Sequence, residues 1–208
     1  MPMTPAIKIC GIRRAADVEE INKYPEIKYA GFVFFKKSKR CLTKEQAKEL
    51  VALLREDIKA VGVFAQNSIE EIKEIADFAH LDILQLHSDE DMDFCRALDG
   101  YRLWRAVRMR DSSSLAQAEK LPVEGFVLDG YTPEYGGCGK VFDWQLAGDF
   151  AKNHFVMAAG GINASNIAKA YEIIRPYGID LSSAVETDGF KDGEKIKELI
   201  EVVRKEVY

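Results

Sequence analysis

Eight short apolar runs, rich in β-branched residues, recur along this chain, and a longer amphipathic segment follows each. The runs cover 6–11, 28–34, 58–64, 81–87, 101–107, 125–129, 154–160 and 178–183. The helix-like segments cover 15–23, 43–55, 68–79, 89–98, 113–120, 143–152, 163–175 and 192–206. Thr43 with Gln46, Ser68 with Glu71, and Asn163 carry helix-start chemistry. The stretch KIKELIEVVRKEV (195–207) spaces its apolar residues as one helical face. Such alternation builds parallel βα units. Eight pairs in series fit a closed (β/α)8 TIM barrel better than an open doubly wound sheet. The dinucleotide fingerprint G-x-G-x-x-G of the doubly wound alternative is missing after the first run, where CGIRRA stands. With 208 residues, each unit takes about 26, near the lower size limit of such barrels. The expectation is a single-domain α/β barrel over 1–208, without an inserted domain.

In a barrel, chemistry gathers where strands end and the loops after them begin, and phosphate often sits on the loops after strands seven and eight. The sixth run ends in Asp129. Beyond it comes the glycine-rich loop Gly136-Gly137-Cys138-Gly139-Lys140, and then FDW at 142–144. Glycine loops that precede a helix leave backbone N–H groups open to an anion. The seventh run ends in Gly160-Gly161-Ile162-Asn163, and the eighth in Ser182-Ser183-Ala184-Val185-Glu186. Three small-residue loops in adjacent places point to a phosphate site.

On the first run, alternation puts Ile7 and Ile9 on one face and Lys8 and Cys10 on the other. The apolar pair should face the helices, so Lys8 and Cys10 face the barrel axis. A lysine there needs a carboxylate, and Asp180 on the eighth run is the candidate. Cys10 is either a thiol with a lowered pKa acting as a base or an inert buried thiol. Gln85 and His87 share a face of the fourth run. His87, at its end, reads equally as a substrate contact and as a rim histidine. The basic loop Lys36-Lys37-Ser38-Lys39-Arg40 is suited to a carboxylate, which arginine binds bidentately. Alternation also turns Arg105 inward, into an interior charge network.

The four cysteines are far apart and no histidines are paired at ligand spacing, so neither a metal site nor a disulfide framework is expected. A net charge of −5 argues against nucleic acid as a partner. No apolar run approaches the roughly 20 residues that cross a bilayer. The first residues lack a signal peptide's n- and h-regions, so a cytoplasmic location is expected. An acid facing a thiol, with a phosphate grip and no metal or nucleotide signature, suits cofactor-free proton shuffling.

KICG (8–11), GFVFFKKSKR (31–40), VGVF (61–64), QLH (85–87), LDG with GGCGKVFDW (128–144), AAGGIN (158–163) and IDLSSAVE (179–186) together resemble the phosphoribosylanthranilate isomerase family of tryptophan biosynthesis. The resemblance spans nearly the whole chain. It implies a (β/α)8 barrel and an Amadori rearrangement of N-(5-phosphoribosyl)anthranilate to 1-(2-carboxyphenylamino)-1-deoxyribulose 5-phosphate, with no cofactor. It implies Asp129 as general acid, Cys10 as general base and Arg40 on the anthranilate carboxylate, with Gln85 and His87 as further substrate contacts. Phosphate falls to Gly137, Gly139, Gly160, Gly161, Ser182, Ser183 and Ala184. The partner implied is a small phosphorylated molecule with a carboxylate, taken by a monomer or a homodimer. Three positions depart from the family pattern. Ala184 stands where glycine is usual, Ser88 where glycine is common, and Cys138 where Thr or Ser is usual.

Two other readings compete. The sister barrel of histidine biosynthesis resembles a duplicated half-barrel with paired aspartates, whereas here the first run ends in Cys10 and the halves do not repeat. A non-catalytic phosphate-binding barrel would have no need of Cys10 and Asp129 together.

Overall fold

The computed structural model describes residues 5–130 and 144–207. Eight parallel strands close into a barrel in sequence order. They are β1 (Ala6–Cys10), β2 (Ile27–Val33), β3 (Lys59–Phe64), β4 (Ile83–Leu86), β5 (Leu103–Met109), β6 (Gly125–Gly130), β7 (Val156–Ala158) and β8 (Gly178–Leu181). The helices between and after them are α1 (Ala15–Ile21), α2 (Lys44–Val51), α3 (Ile69–Ala79), α4 (Met92–Ala97), α5 (Ser112–Ala118), α6 (Gln145–Asn153), α7 (Ile167–Ile174) and α8 (Gly193–Glu206). The barrel class read from the alternation is therefore the observed one. No described helix is long and apolar enough to cross a membrane.

Local chemistry explains several boundaries. Thr43 and Gln46 form a reciprocal capping box at α2, each side chain bonded to the other's backbone N–H at 3.2 and 3.0 Å. Ser68 accepts from Glu71 N–H at α3. α7 begins later than Asn163 implied, at Ile167. Asn163 instead organises the turn before the helix, accepting from Ser165 N–H, while its own N–H bonds Asn166 Oδ1.

Two apolar clusters hold the barrel. The larger lies between strands and helices and includes Ile7, Ile9, Leu103 and Val107. The smaller fills the barrel and includes Tyr29, Val61, Ile83, Trp104, Val127 and Met157. Tyr29 meets Trp104 edge-on, with centroids 4.9 Å apart. Ile7 and Ile9 thus face the helices, and Lys8 and Cys10 face the axis, as alternation required. Arg105 is corrected: Trp104 and Ala106 belong to the inner cluster, so Arg105 points to the helix side, where it pairs with Glu90. The inward arginine of β5 is Arg108, the register partner of Asp129 on β6. The alternation was right but its phase was set one residue off, because the run carries apolar residues on both faces, Leu103 and Val107 on one and Trp104 and Ala106 on the other.

After β8 the chain makes a 3₁₀ turn (Ser183–Val185) and a two-stranded hairpin, β9 (Glu186–Thr187) and β10 (Phe190–Lys191). The hairpin brings Glu186 and Lys191 together as register partners. Phe190 lies under the guanidinium groups of Arg13 and Arg14, 4.3 and 4.0 Å from its ring centre.

Candidate active site

A cavity of about 570 Å³ opens at the C-terminal ends of the strands. Its floor carries an ion pair. Lys8 Nζ bonds Asp180 Oδ2 at 2.8 Å, with the lysine side chain fully enclosed. Burial alone would drive the lysine toward neutrality, but Asp180 and Cys10 outweigh it and its pKa is raised. Asp180 Oδ1 and Gln85 Oε1 are buried acceptors with no donor among the described residues, and both residues line the cavity.

Cys10 stands above Lys8 at the end of β1. It has room because residue 31 is glycine: a Cβ there would lie 2.8 Å from the thiol sulfur. The thiol pKa is raised, not lowered. Burial raises it most and Asp180 adds to this, against the opposing pull of Lys8 and Lys191. Of the two readings left open for this thiol, the one with a lowered pKa does not hold: loss of water outweighs the nearby cations.

Asp129 ends β6 and is buried. Its pKa is pushed up to about 6 by burial and by Asp180, although the Gly130 N–H, which bonds Oδ1 at 2.8 Å, and Lys8 pull it down. His87 Nε2 lies 3.9 Å from Asp129 Oδ2. Burial, then Lys8, Arg108 and Arg105, hold this imidazole down at about 4. At neutral pH it is therefore uncharged, and the contact is not an ion pair.

Arg40, on the loop after β2, lies against Glu186 with two hydrogen bonds of 2.7 and 2.5 Å. Gly160 and Gly161 both take positive φ, +75° and +70°, which side chains disfavour. Asn163 and Asn166 donate to the Gly161 carbonyl at 3.3 and 2.9 Å.

Ten of the residues expected from the sequence therefore line one cavity: Cys10, Asp129, Arg40, Gln85 and His87, with Gly160, Gly161, Ser182, Ser183 and Ala184. Gly137 and Gly139 lie outside the described residues, as do Cys138 and Lys140. Sequence reasoning missed Glu186 as the partner of Arg40, and Lys191 as the second cation on Glu186. Their pairing depends on a hairpin of two-residue strands, too short to leave a periodic signal. Among the described residues, no group of three His, Cys, Asp or Glu side chains could hold a metal ion.

Fold and site define the class: a (β/α)8-barrel protein whose strand ends carry a carboxyl poised near neutrality, a thiol and glycine turns. The profile of the family described as N-(5'phosphoribosyl)anthranilate (PRA) isomerase matches residues 7–202. A relative from Thermoanaerobacter sp. (strain X514), named N-(5'-phosphoribosyl)anthranilate isomerase, is 43% identical over 200 residues, which is 95% of this chain and 97% of the relative. The crystal structure of phosphoribosyl anthranilate isomerase from Thermotoga maritima superposes with a TM-score of 0.87 at 32% identity, covering 97% of this chain and 99% of that one. A phosphoribosyl anthranilate isomerase in complex with reduced 1-(o-carboxyphenylamino)-1-deoxyribulose 5-phosphate superposes with a TM-score of 0.84 at 28% identity, over 97% and 99% of the two chains. The chain belongs to the phosphoribosylanthranilate isomerase family.

Proposed function

We propose that this chain, acting as one catalytic domain over 1–208, isomerises N-(5'-phosphoribosyl)anthranilate to 1-(2-carboxyphenylamino)-1-deoxyribulose 5-phosphate, a step of tryptophan biosynthesis. The observation that carries the reading is the convergence of Asp129 and Cys10 on one cavity in a chain of this family.

Asp129 is the general acid. Its proton passes to the ring oxygen of the sugar, the C1'–O4' bond breaks, and a Schiff base forms on the anthranilate nitrogen. A carboxyl held near 6 gives up that proton far more readily than a lysine and holds it far better than an exposed aspartate. Cys10, as thiolate, is the general base and removes the proton from C2'. The electron pair of that C–H bond moves to neutralise the iminium, giving the enolamine. Loss of the 2'-hydroxyl proton and protonation at C1' then give the ketone. The reaction is one ring opening and a set of proton transfers without net change of oxidation level, so no electron carrier enters.

The unpartnered acceptors Gln85 Oε1 and Asp180 Oδ1 suit the sugar hydroxyls. Neutral His87 beside Asp129 can share a proton with it without adding charge. The positive-φ turn at Gly160-Gly161 and residues Ser182 to Ala184, which open the 3₁₀ turn, direct backbone N–H groups to the phosphate, while Arg40 takes the aromatic carboxylate.

The test is the decay of anthranilate-type fluorescence when purified protein meets fresh phosphoribosylanthranilate. Rapid decay with wild type and none with Asp129→Asn is the expected result. Absence of decay in wild type would overturn the assignment, and undiminished decay in Asp129→Asn would overturn the role of the acid.

A further inference from the structure

Arg40 is held from beneath and from one side. Its chain passes over Gly11, where a side chain would collide with its Cδ. Its guanidinium meets Glu186 through Nε and Nη2, at 2.7 Å to Oε1 and 2.5 Å to Oε2. Glu186 is fixed in turn. Lys191 Nζ, on a side chain with no exposed surface, bonds Glu186 Oε1 at 2.8 Å and the Ser182 carbonyl at 3.1 Å. Lys195 Nζ bonds the Glu186 carbonyl at 2.7 Å.

A guanidinium offers a carboxylate two usable edges. Here the side edge, Nε with Nη2, is taken. The end edge, Nη1 with the second hydrogen of Nη2, is left, and Nη1 has no hydrogen-bond partner among the described residues. Arg40 lines the cavity and keeps 16% of its side chain exposed, against 5% for Glu186. The charges do not balance: Arg40, Lys191 and Lys195 all gather on Glu186 and its single carboxylate, which leaves positive charge in excess beside the cavity wall. A ligand carboxylate on the end edge would supply the missing negative charge.

We propose that Glu186 is a positioning residue that clamps Arg40 by its side edge, so that the end edge receives the carboxylate of the aromatic ring and Arg40 holds both carboxylates at once. This rests on the substrate proposed above. Lys191 bonds both Glu186 and the backbone at Ser182, so one cation links the carboxylate clamp to the first residue of the turn assigned to phosphate.

The test compares two probes on the full chain. One is reduced 1-(o-carboxyphenylamino)-1-deoxyribulose 5-phosphate, and the other is the same molecule without its carboxylate. Glu186→Gln should weaken the carboxylated probe about tenfold and leave the other within about twofold. KM for phosphoribosylanthranilate should rise while kcat changes less than about threefold. Glu186→Asp keeps the charge but shortens the reach, and it should show the same selective loss. Equal weakening of both probes would reduce Glu186 to a structural role and overturn the clamp. Unchanged or tighter binding of the carboxylated probe would also overturn it, because Glu186 would then compete with the ligand for Arg40. Wild type that binds neither probe would instead remove the functional reading on which the clamp depends.

Discussion

Lys8 Nζ stands 2.8 Å from Asp180 Oδ2, and the two residues are register partners on β1 and β8. The pair lies under both catalytic candidates and acts on them with opposite signs. Asp180 raises the pKa of Cys10 and of Asp129, and Lys8 lowers both. One buried ion pair therefore tunes the acid and the base together.

Removing one member should expose that coupling. Lys8→Met leaves Asp180 as a buried carboxylate without its cation, with Oδ1 already unpartnered. Breaking a buried pair from one side costs about 3–5 kcal/mol, and urea unfolding should read a loss of that order. Lys8→Met with Asp180→Leu should recover most of it, since an apolar pair replaces an ionic one. A double variant as unstable as the single would show that the pair is not the origin of the loss.

Asp129 should reveal a stability cost of function. Its folded pKa, about 6, lies above the ordinary aspartate value of 3.8. The folded state thus binds the proton more tightly than the unfolded one. Stability is gained as pH falls through 6, and above it the ionised carboxylate destabilises the fold. The shift corresponds to about 3 kcal/mol at neutral pH and above. Asp129→Asn keeps an acceptor for Gly130 N–H and removes the charge. It should be more stable than wild type at pH 8, with the difference shrinking below pH 6 and closing only under about pH 4, while turnover is lost. Equal stability at pH 8 would contradict the raised pKa.

The pH dependence of kcat follows from counting protons. Catalysis needs one proton on the Asp129–Cys10 pair. Below about 6 Asp129 protonates while Cys10 remains a thiol, so the pair holds two. Above the raised thiol pKa it holds none. Between these limits it holds one, mostly on sulfur, and the reactive form with the proton on Asp129 is a constant fraction. We expect a flat top with an acid limb near 6 and an alkaline limb above the ordinary thiol range. Free phosphate monoesters also titrate at about 6, so kcat rather than kcat/KM is the quantity to follow. A kcat that climbs throughout the alkaline range would remove Asp129 as the acid.

Much of this site was legible in the chain because strand-end chemistry is periodic. Lys8, Cys10, Gln85, His87 and Asp129 alternate with apolar residues, and a period of two assigns their face directly. Asp180 was found through charge: an inward lysine requires a carboxylate nearby. Failures arose where the period leaves its phase open or where no period exists. Arg105 was given the wrong face because aromatic and aliphatic residues flank it on both sides of β5, and Arg108 took its place. Glu186 and Lys191 sit on two-residue strands and meet only through the hairpin. The thiol pKa stayed open between two readings because sequence displays neighbouring charges but not the loss of water, and here burial is the larger effect.

The glycine turn after β7 gives the last expectation. Gly161 holds φ at +70°, and its carbonyl is fixed by the side chains of Asn163 and Asn166. A Cβ in this left-handed region costs about 1–2 kcal/mol, so in Gly161→Ala the turn should relax and its N–H groups should lose their aim. Asn166→Ala removes the 2.9 Å anchor and the acceptor of Asn163 N–H without adding backbone strain, and should loosen the same turn more mildly. Inorganic phosphate as a competitive inhibitor reads this directly. Its inhibition constant should rise about tenfold for Gly161→Ala and less for Asn166→Ala, with kcat largely kept, because neither residue meets the protons in transfer. Unchanged phosphate inhibition in both variants would move the anion away from this turn, to the other residues expected to hold it, Ser182 to Ala184 among them.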